Sequence, residues 1–153
     1  MSSSHLQSEL ALQAAIRRHM TPIVEAANRD AALLKDSRME KSQLQNVLNV
    51  AEESRNLAVV ANFIRYQIGR ARIGVIWQHN DFGESVVQQI LSPEGVVQQQ
   101  TQKVLSKSED TLPEMVADKV RFEFMRYYLG YLQRAFVYGN SGVAAAWTHL
   151  KES

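Results

Sequence analysis

Residues 55–79, RNLAVVANFIRYQIGRARIGVIWQH, form the longest strongly apolar stretch of the chain, and they contain no acidic residue. Its basic residues are Arg55, Arg65, Arg70 and Arg72. A segment that is apolar on one side and purely cationic on the other is typical of a core helix with one exposed edge that faces anions. This stretch therefore predicts both the fold class and the position of a binding surface.

We expect one central helix over residues 57–77, about 30 Å long at a rise of about 1.5 Å per residue. Two glycines, Gly69 and Gly74, weaken such a helix by about 1 kcal/mol each relative to alanine, so we expect a close backbone approach to compensate. The predicted inward side chains are Val60, Phe63, Ile64, Ile68, Ala71 and Val75.

Helical periodicity and capping signals extend through the rest of the chain, and no segment alternates with the period of two that a strand requires. The sequence predicts an all-α fold: one helical-bundle domain over residues 1–153, with six to eight helices, a long penultimate helix and disorder over residues 1–4. The other predicted helices cover residues 6–20, 22–35, 41–54, 82–91, 93–106 and 113–138, and a short one follows Ser141. Their predicted inward side chains include Leu6, Leu10, Met115, Val143 and the aromatic stripe of Phe122, Phe124, Tyr128 and Phe136.

The composition fits a soluble globular protein, with 45% hydrophobic and 22% charged residues and no cysteine. No apolar run reaches the roughly 18 residues of a membrane span, and the first residues do not resemble a secretory signal, so we expect a cytoplasmic protein without a membrane partner. The net charge is only +1, but residues 55–80 hold four bases and no acid. Such local excess indicates an anion-binding stripe and not a globally basic protein.

Catalytic and metal-binding patterns are weak. The histidines are dispersed at predicted helix ends and none has a metal-ligand spacing; they are His5, His19, His79 and His149. Adjacent acids such as Glu52 and Glu53 lie on different faces of a helix, which suits a solvated end better than an acid–base pair. We therefore expect no enzyme activity, cofactor, metal or small-molecule substrate.

Nucleic-acid contact has more support. On a continuous helix, one stripe would contain Asn62, Arg65, Gly69 and Arg72. Arginine suits phosphate oxygens, and Gly69 would leave room for a backbone. Arg70 points to another face and is a secondary candidate. The last long helix offers a second line, consisting of Lys119, Arg126 and Gln133 with Arg134 beside it.

Aromatic residues interleave with these bases and could stack on nucleotides. They are Tyr66, Tyr127, Tyr128 and Tyr131. The alternative is a solvated face, on which arginines lie over tyrosine rings and Glu123 or Asp118 pairs with the bases of the last helix.

The order of three segments, KSQLQNVLNVA, NFIRYQIGR and VRFEFMRYYLGYLQRAFVYGN, resembles the small subunits of class 1 CRISPR–Cas effector complexes, of type III-A (Csm) or type I-D. The resemblance covers most of residues 40–140. It implies a non-catalytic antiviral-defence subunit that assembles with other effector subunits and further copies of itself. It also implies contact with the guide RNA and target nucleic acid, as a guide–target duplex or a displaced strand, through Arg65, Arg72, Lys119, Arg126 and Arg134. A helical protein-interaction adaptor without nucleic-acid binding is the alternative function.

Overall fold

The computed structural model describes the backbone of residues 2–107 and 114–153, and the side chains of residues 6–107 and 115–153. The all-α bundle with a long penultimate helix is confirmed. A 3₁₀ turn, His79–Asp81, precedes the sixth helix. The α-helices are α1 (Ser2–Arg18), α2 (Met20–Ala32), α3 (Lys41–Ser54), α4 (Leu57–Gly69), α5 (Ala71–Trp77), α6 (Phe82–Leu91), α7 (Val96–Ser106), α8 (Glu114–Gly139) and α9 (Ala146–Lys151).

Local capping explains several helix starts. The Gln43 side chain accepts a hydrogen bond from the Glu40 backbone at 2.9 Å where α3 begins. Asn56 Oδ1 accepts one from the Val59 backbone at 3.1 Å, so Asn56 is the N-cap of α4. Helix α7 begins at Val96 and not at Pro93, because residues 92–95 form a turn first. The start predicted at residues 111–113 lies outside the described residues.

One cluster of buried hydrophobic side chains receives residues from every helix named above. Helix α8 lies at its centre against α2, α3 and α7. The aromatic stripe predicted as core is confirmed, since Phe122, Phe124, Tyr128 and Phe136 are all buried. The long penultimate helix is therefore the common wall on which the other helices pack.

The predicted central helix over residues 57–77 is wrong in one respect: it is two helices. Arg70 has an extended backbone (φ −76°, ψ 143°) that ends α4 and begins α5. The Gln78 side chain donates to the Ile68 carbonyl oxygen at 3.0 Å. In a continuous helix these residues would lie about 15 Å apart along the axis. Helix α5 therefore folds back beside the last turn of α4.

Gly74 allows this reversal. A Cβ atom placed at Gly74 would overlap the Ile68 carbonyl oxygen, so the close backbone approach expected at this glycine is confirmed. Gly69 differs, because nothing lies within 4 Å of the position of its missing Cβ. The close backbone approach expected at both glycines is therefore found at Gly74, and it is wrong for Gly69 within the described residues.

Several side chains expected to face inward lie on the surface. The reversal at Arg70 turns Ala71 and Val75 outward, and Val75 is 71% exposed. Helix α1 buries Ile16 and partly buries Leu12 and Ala15, and its exposed apolar side chains lie nearer its start. The remaining exposed residues of this kind are Leu6, Leu10, Met115 and Val143.

Helix α1 begins at Ser2, so the disorder expected over residues 1–4 does not hold for Ser2–Ser4, and Met1 lies outside the described residues. Within the described ranges, none of the helices has both the length and the apolar character that a membrane crossing needs.

Candidate nucleic-acid interface

The acid-free stretch forms the exposed surface of α4 and α5. Asn62 and Arg65 lie on the exposed face of α4, and Arg72 lies on the exposed face of α5. Among the residues whose side chains are described, none forms a hydrogen bond or ion pair with Arg65 or Arg72. Two guanidinium groups with their donors free, and without a neighbouring acid in sequence, are suited to phosphate oxygens.

The stripe predicted from helical spacing is corrected by the break at Arg70. Asn62, Arg65 and Gly69 share the exposed face of α4, but Arg72 belongs to a separate helix and does not continue that stripe. Arg72 is exposed because the chain reverses at Arg70, and not because it lies seven residues after Arg65 on one helix. The surface defined by Asn62, Arg65, Tyr66, Gly69 and Arg72 is called the α4–α5 surface below.

Arg70 is the residue at which the chain reverses. Its guanidinium group donates to Gln67 Oε1 at 3.1 Å and lies over the Tyr66 ring, 5.4 Å from the ring centre. Arg70 thus has partners inside the protein, whereas Arg65 and Arg72 have none among the side chains that the structure describes. The secondary rank that the sequence assigned to Arg70 agrees with this difference, although its nucleic-acid contact stays a prediction.

The basic residues of α8 are engaged within the fold. Lys119 forms an ion pair with Glu9 of α1. Arg126 forms an ion pair with Glu123 at 2.7 Å, and Arg134 lies 5.7 Å from the centre of the Tyr131 ring. Gln133, the third residue of the predicted line, donates to Gln45 of α3 at 3.0 Å. Lys119 and Gln133 therefore contact neighbouring helices, whereas Arg126 and Arg134 have their partners within α8.

The environment of Arg126 favours its charged form. The hydrogen bond that Arg126 donates to Glu123 raises the pKa of Arg126, although partial burial opposes the shift. The guanidinium group also lies over the Tyr127 ring at 4.9 Å. The alternative drawn from the sequence, in which arginines lie on tyrosine rings beside an acid, therefore describes this part of α8.

The four tyrosines that interleave with the bases have different environments. Tyr128 is buried, while Tyr127 and Tyr131 stack on each other with ring centres 6.0 Å apart. Tyr66 is 60% exposed. Sequence spacing could not separate these cases, because it does not show which rings other helices cover.

Sequence reasoning missed a buried carboxyl group, Asp30, which is only 5% exposed. The Tyr128 hydroxyl donates to Asp30 Oδ2 at 2.6 Å, and the Ser85 hydroxyl donates to Oδ1 at 2.8 Å. Burial raises the pKa of Asp30, and these two hydrogen bonds oppose the shift. The signal was present, since Asp30 follows Ala26 and Ala27 at helical spacing and so shares their inward face.

A surface groove of about 690 Å³ lies elsewhere, between the end of α2, the turn before α6 and helix α9. Its charged side chains are of both signs, so it does not repeat the cationic character of the α4–α5 surface. Its lining residues are Arg29, Ala32, Leu33, Lys35, Asp36, Asn80, Asp81, Trp147, Thr148 and Lys151. Among the described side chains, no group of three or more histidines and acids is placed to hold a metal ion.

Comparisons of the chain with protein-family models, with curated proteins and with solved structures give no match.

Proposed function

We propose that this protein is a non-catalytic, nucleic-acid-contacting subunit of an RNA-guided CRISPR–Cas effector complex. The observation that carries the proposal is the pair of exposed guanidinium groups of Arg65 and Arg72 on the α4–α5 surface, which have no hydrogen-bond or ion-pair partner within the described part of the chain. Such groups bind phosphates irrespective of base sequence, which suits a subunit whose complex reads sequence by guide–target pairing. The order of segments that resembles the small subunits of these complexes supplies the class.

The proposed partners follow from the same class: other effector subunits, further copies of this chain, the guide RNA and the target strand, in the cytoplasm. The α8 residues Lys119, Arg126 and Arg134 become secondary contacts in this proposal. Each would first have to leave an acidic or aromatic neighbour, which lowers the net gain from a phosphate contact.

The test is a salt titration of the binding of single-stranded RNA and DNA by the full chain. Each phosphate contact on a single strand contributes about 0.7 to the slope of log K against log salt concentration. The double substitution Arg65→Ala plus Arg72→Ala should therefore reduce the slope by about 1.4 and weaken binding most at low salt.

The matched control is Arg17→Ala plus Arg18→Ala, because it removes the same two charges from exposed positions on α1. If both double variants lose affinity equally, the effect comes from net charge and the α4–α5 surface is not the interface. Unchanged affinity, slope and assembly with effector subunits in the Arg65/Arg72 variant would refute the proposal.

A helical adaptor that binds protein and no nucleic acid is the second candidate. The observation in its favour is a set of exposed apolar side chains on α1 and at the start of α8, where Leu6, Leu10 and Met115 are 57%, 58% and 81% exposed. The ion pair between Glu9 and Lys119 holds α1 beside α8 there. For this function, Leu10→Glu should abolish self-association or effector assembly in sedimentation, while no nucleic-acid probe binds the unaltered chain.

A further inference from the structure

Tyr66 is placed where an aromatic ring can receive a ligand. It is 60% exposed and lies on α4 next to Arg65, one turn after Asn62. Gly69 follows it by three residues, and nothing lies within 4 Å of the position of the missing Gly69 Cβ. The ring therefore has open space beside it on the helix surface.

A cationic group of the protein already covers one face of the Tyr66 ring. The Arg70 guanidinium group lies over it at 5.4 Å, held by a hydrogen bond to Gln67 Oε1. Since Gln67 is buried, that hydrogen bond anchors the guanidinium group to a fixed part of α4. A flat cationic group on one face of an exposed ring leaves the other face as the place for a second flat group.

Unpaired nucleotide bases are the flat groups that fit beside two free arginines. A base can stack on the tyrosine while its flanking phosphates reach the guanidinium groups of Arg65 and Arg72. Duplex bases already stack on their neighbours and offer this surface only their backbone. An aromatic platform therefore distinguishes single strands from duplexes, which free arginines alone do not.

We propose that Tyr66, backed by Arg70, is a stacking platform for an unpaired base, so that the α4–α5 surface prefers single-stranded nucleic acid to duplex. The inference rests on the proposed function, because it assumes that this surface contacts nucleic acid. It adds the kind of nucleic acid bound and assigns a specificity-determining role to Tyr66.

The experiment measures the binding of the full chain to short oligouridylate, short oligothymidylate, an oligothymidylate with abasic residues, and a duplex. Tyr66→Ala should weaken binding to both single strands by roughly 5- to 150-fold, the range for loss of one aromatic stacking contact. Tyr66→Phe keeps the ring and should retain binding. Affinity for the abasic strand and the duplex should change by less than about twofold, because phosphate contacts remain.

Both variants should unfold at the same urea concentration as the parent, since the side chain is on the surface. If Tyr66→Ala leaves single-strand binding unchanged while the Arg65/Arg72 double variant weakens it, the stacking platform is refuted and the proposed function stands. If Tyr66→Ala weakens binding to all four probes equally, the preference for single strands is refuted. If the unaltered chain binds none of them, both proposals fall.

Discussion

Replacing Tyr128 with phenylalanine removes one oxygen atom from a contact between two buried groups. The Tyr128 hydroxyl donates to Asp30 Oδ2 at 2.6 Å; Tyr128 is 0% exposed and Asp30 5% exposed. Burial, and then the charge of Asp30, raise the pKa of Tyr128 well above its ordinary range, so the phenol keeps its proton and remains the donor.

The expected loss of stability depends on the hydrogen bonds that the Asp30 carboxyl group keeps in the variant. Hydrogen bonds to charged groups contribute about 1.5–3 kcal/mol each to stability, and no water can replace a donor at a site this buried. Ser85 still donates to the other carboxylate oxygen in the variant. We therefore expect Tyr128→Phe to lower the free energy of unfolding by about 1.5–3 kcal/mol at neutral pH, or about 3–12 °C in melting temperature.

The effect should depend on pH with a definite sign. Because burial raises the pKa of Asp30 in the folded state, its contribution to stability is fully present below the unfolded pKa of about 3.9. That contribution is lost as the pH rises through the folded pKa, because a buried carboxyl group must then ionise. The Tyr128 hydrogen bond reduces this cost, so Tyr128→Phe should cost more at pH 7 than near pH 4. Asp30→Asn should remove the pH dependence due to this group.

Urea unfolding at both pH values measures the effect through the transition midpoint, provided that the slope is unchanged. Tyr131→Phe is the matched control: the same change on the same helix, at a tyrosine whose hydroxyl has no hydrogen-bond partner among the described residues. It should change stability by no more than about 0.5 kcal/mol. Equal losses in Tyr128→Phe and Tyr131→Phe, or a larger Tyr128→Phe loss near pH 4, would refute the role assigned to the Asp30 contact.

Two further predictions use residue pairs that differ only in their surroundings. Gly74→Ala should destabilise the protein by about 1–3 kcal/mol, since its Cβ overlaps a backbone carbonyl of α4. Gly69→Ala should stabilise it by about 0.4–1 kcal/mol, because the site is open. Thermal unfolding measures both changes in stability, and two changes of the same sign would contradict the reversal of the chain. Arg126→Ala should cost about 1–3 kcal/mol because it leaves the largely buried Glu123 unpaired. Arg134→Ala, which leaves no acid behind, should cost about 0.5 kcal/mol or less in urea unfolding, and similar losses would contradict a special role for the ion pair.

Much of the fold was readable from local sequence. Asn56 marks the start of α4, and the periodicity of residues 114–139 marks α8 as a long helix with its aromatic residues inward. These features depend on a cap three residues from its donor, or on the 3.6-residue repeat, and both are fixed within a few turns of chain. The outward position of Val75 was not readable, since no proline marks the break at Arg70.

The sequence showed which residue types could form the candidate site, but it did not show which of their side chains are free to bind a ligand. Spacing offered Arg65 and Arg72 as one line and Lys119 and Arg126 as a second line, and it did not show which of these side chains have partners within the fold. Lys119 has its partner 110 residues away in the chain, and no local pattern shows that contact. The same limit applies to Tyr66, because its exposure depends on how the other helices pack and no local pattern shows that.

The sequence by itself determined an all-α bundle with an acid-free, arginine-bearing segment at its surface, because periodicity, caps and charge are local properties of the chain. Only the tertiary structure decided that α5 turns back at Arg70 and that Asp30 of α2 is buried against α6 and α8. It also decided that the cations of α8 are engaged, while Arg65 and Arg72 have no partner among the described residues. The physical reason is that desolvation and pairing depend on groups brought together from distant parts of the chain, and those contacts are made only when the helices pack.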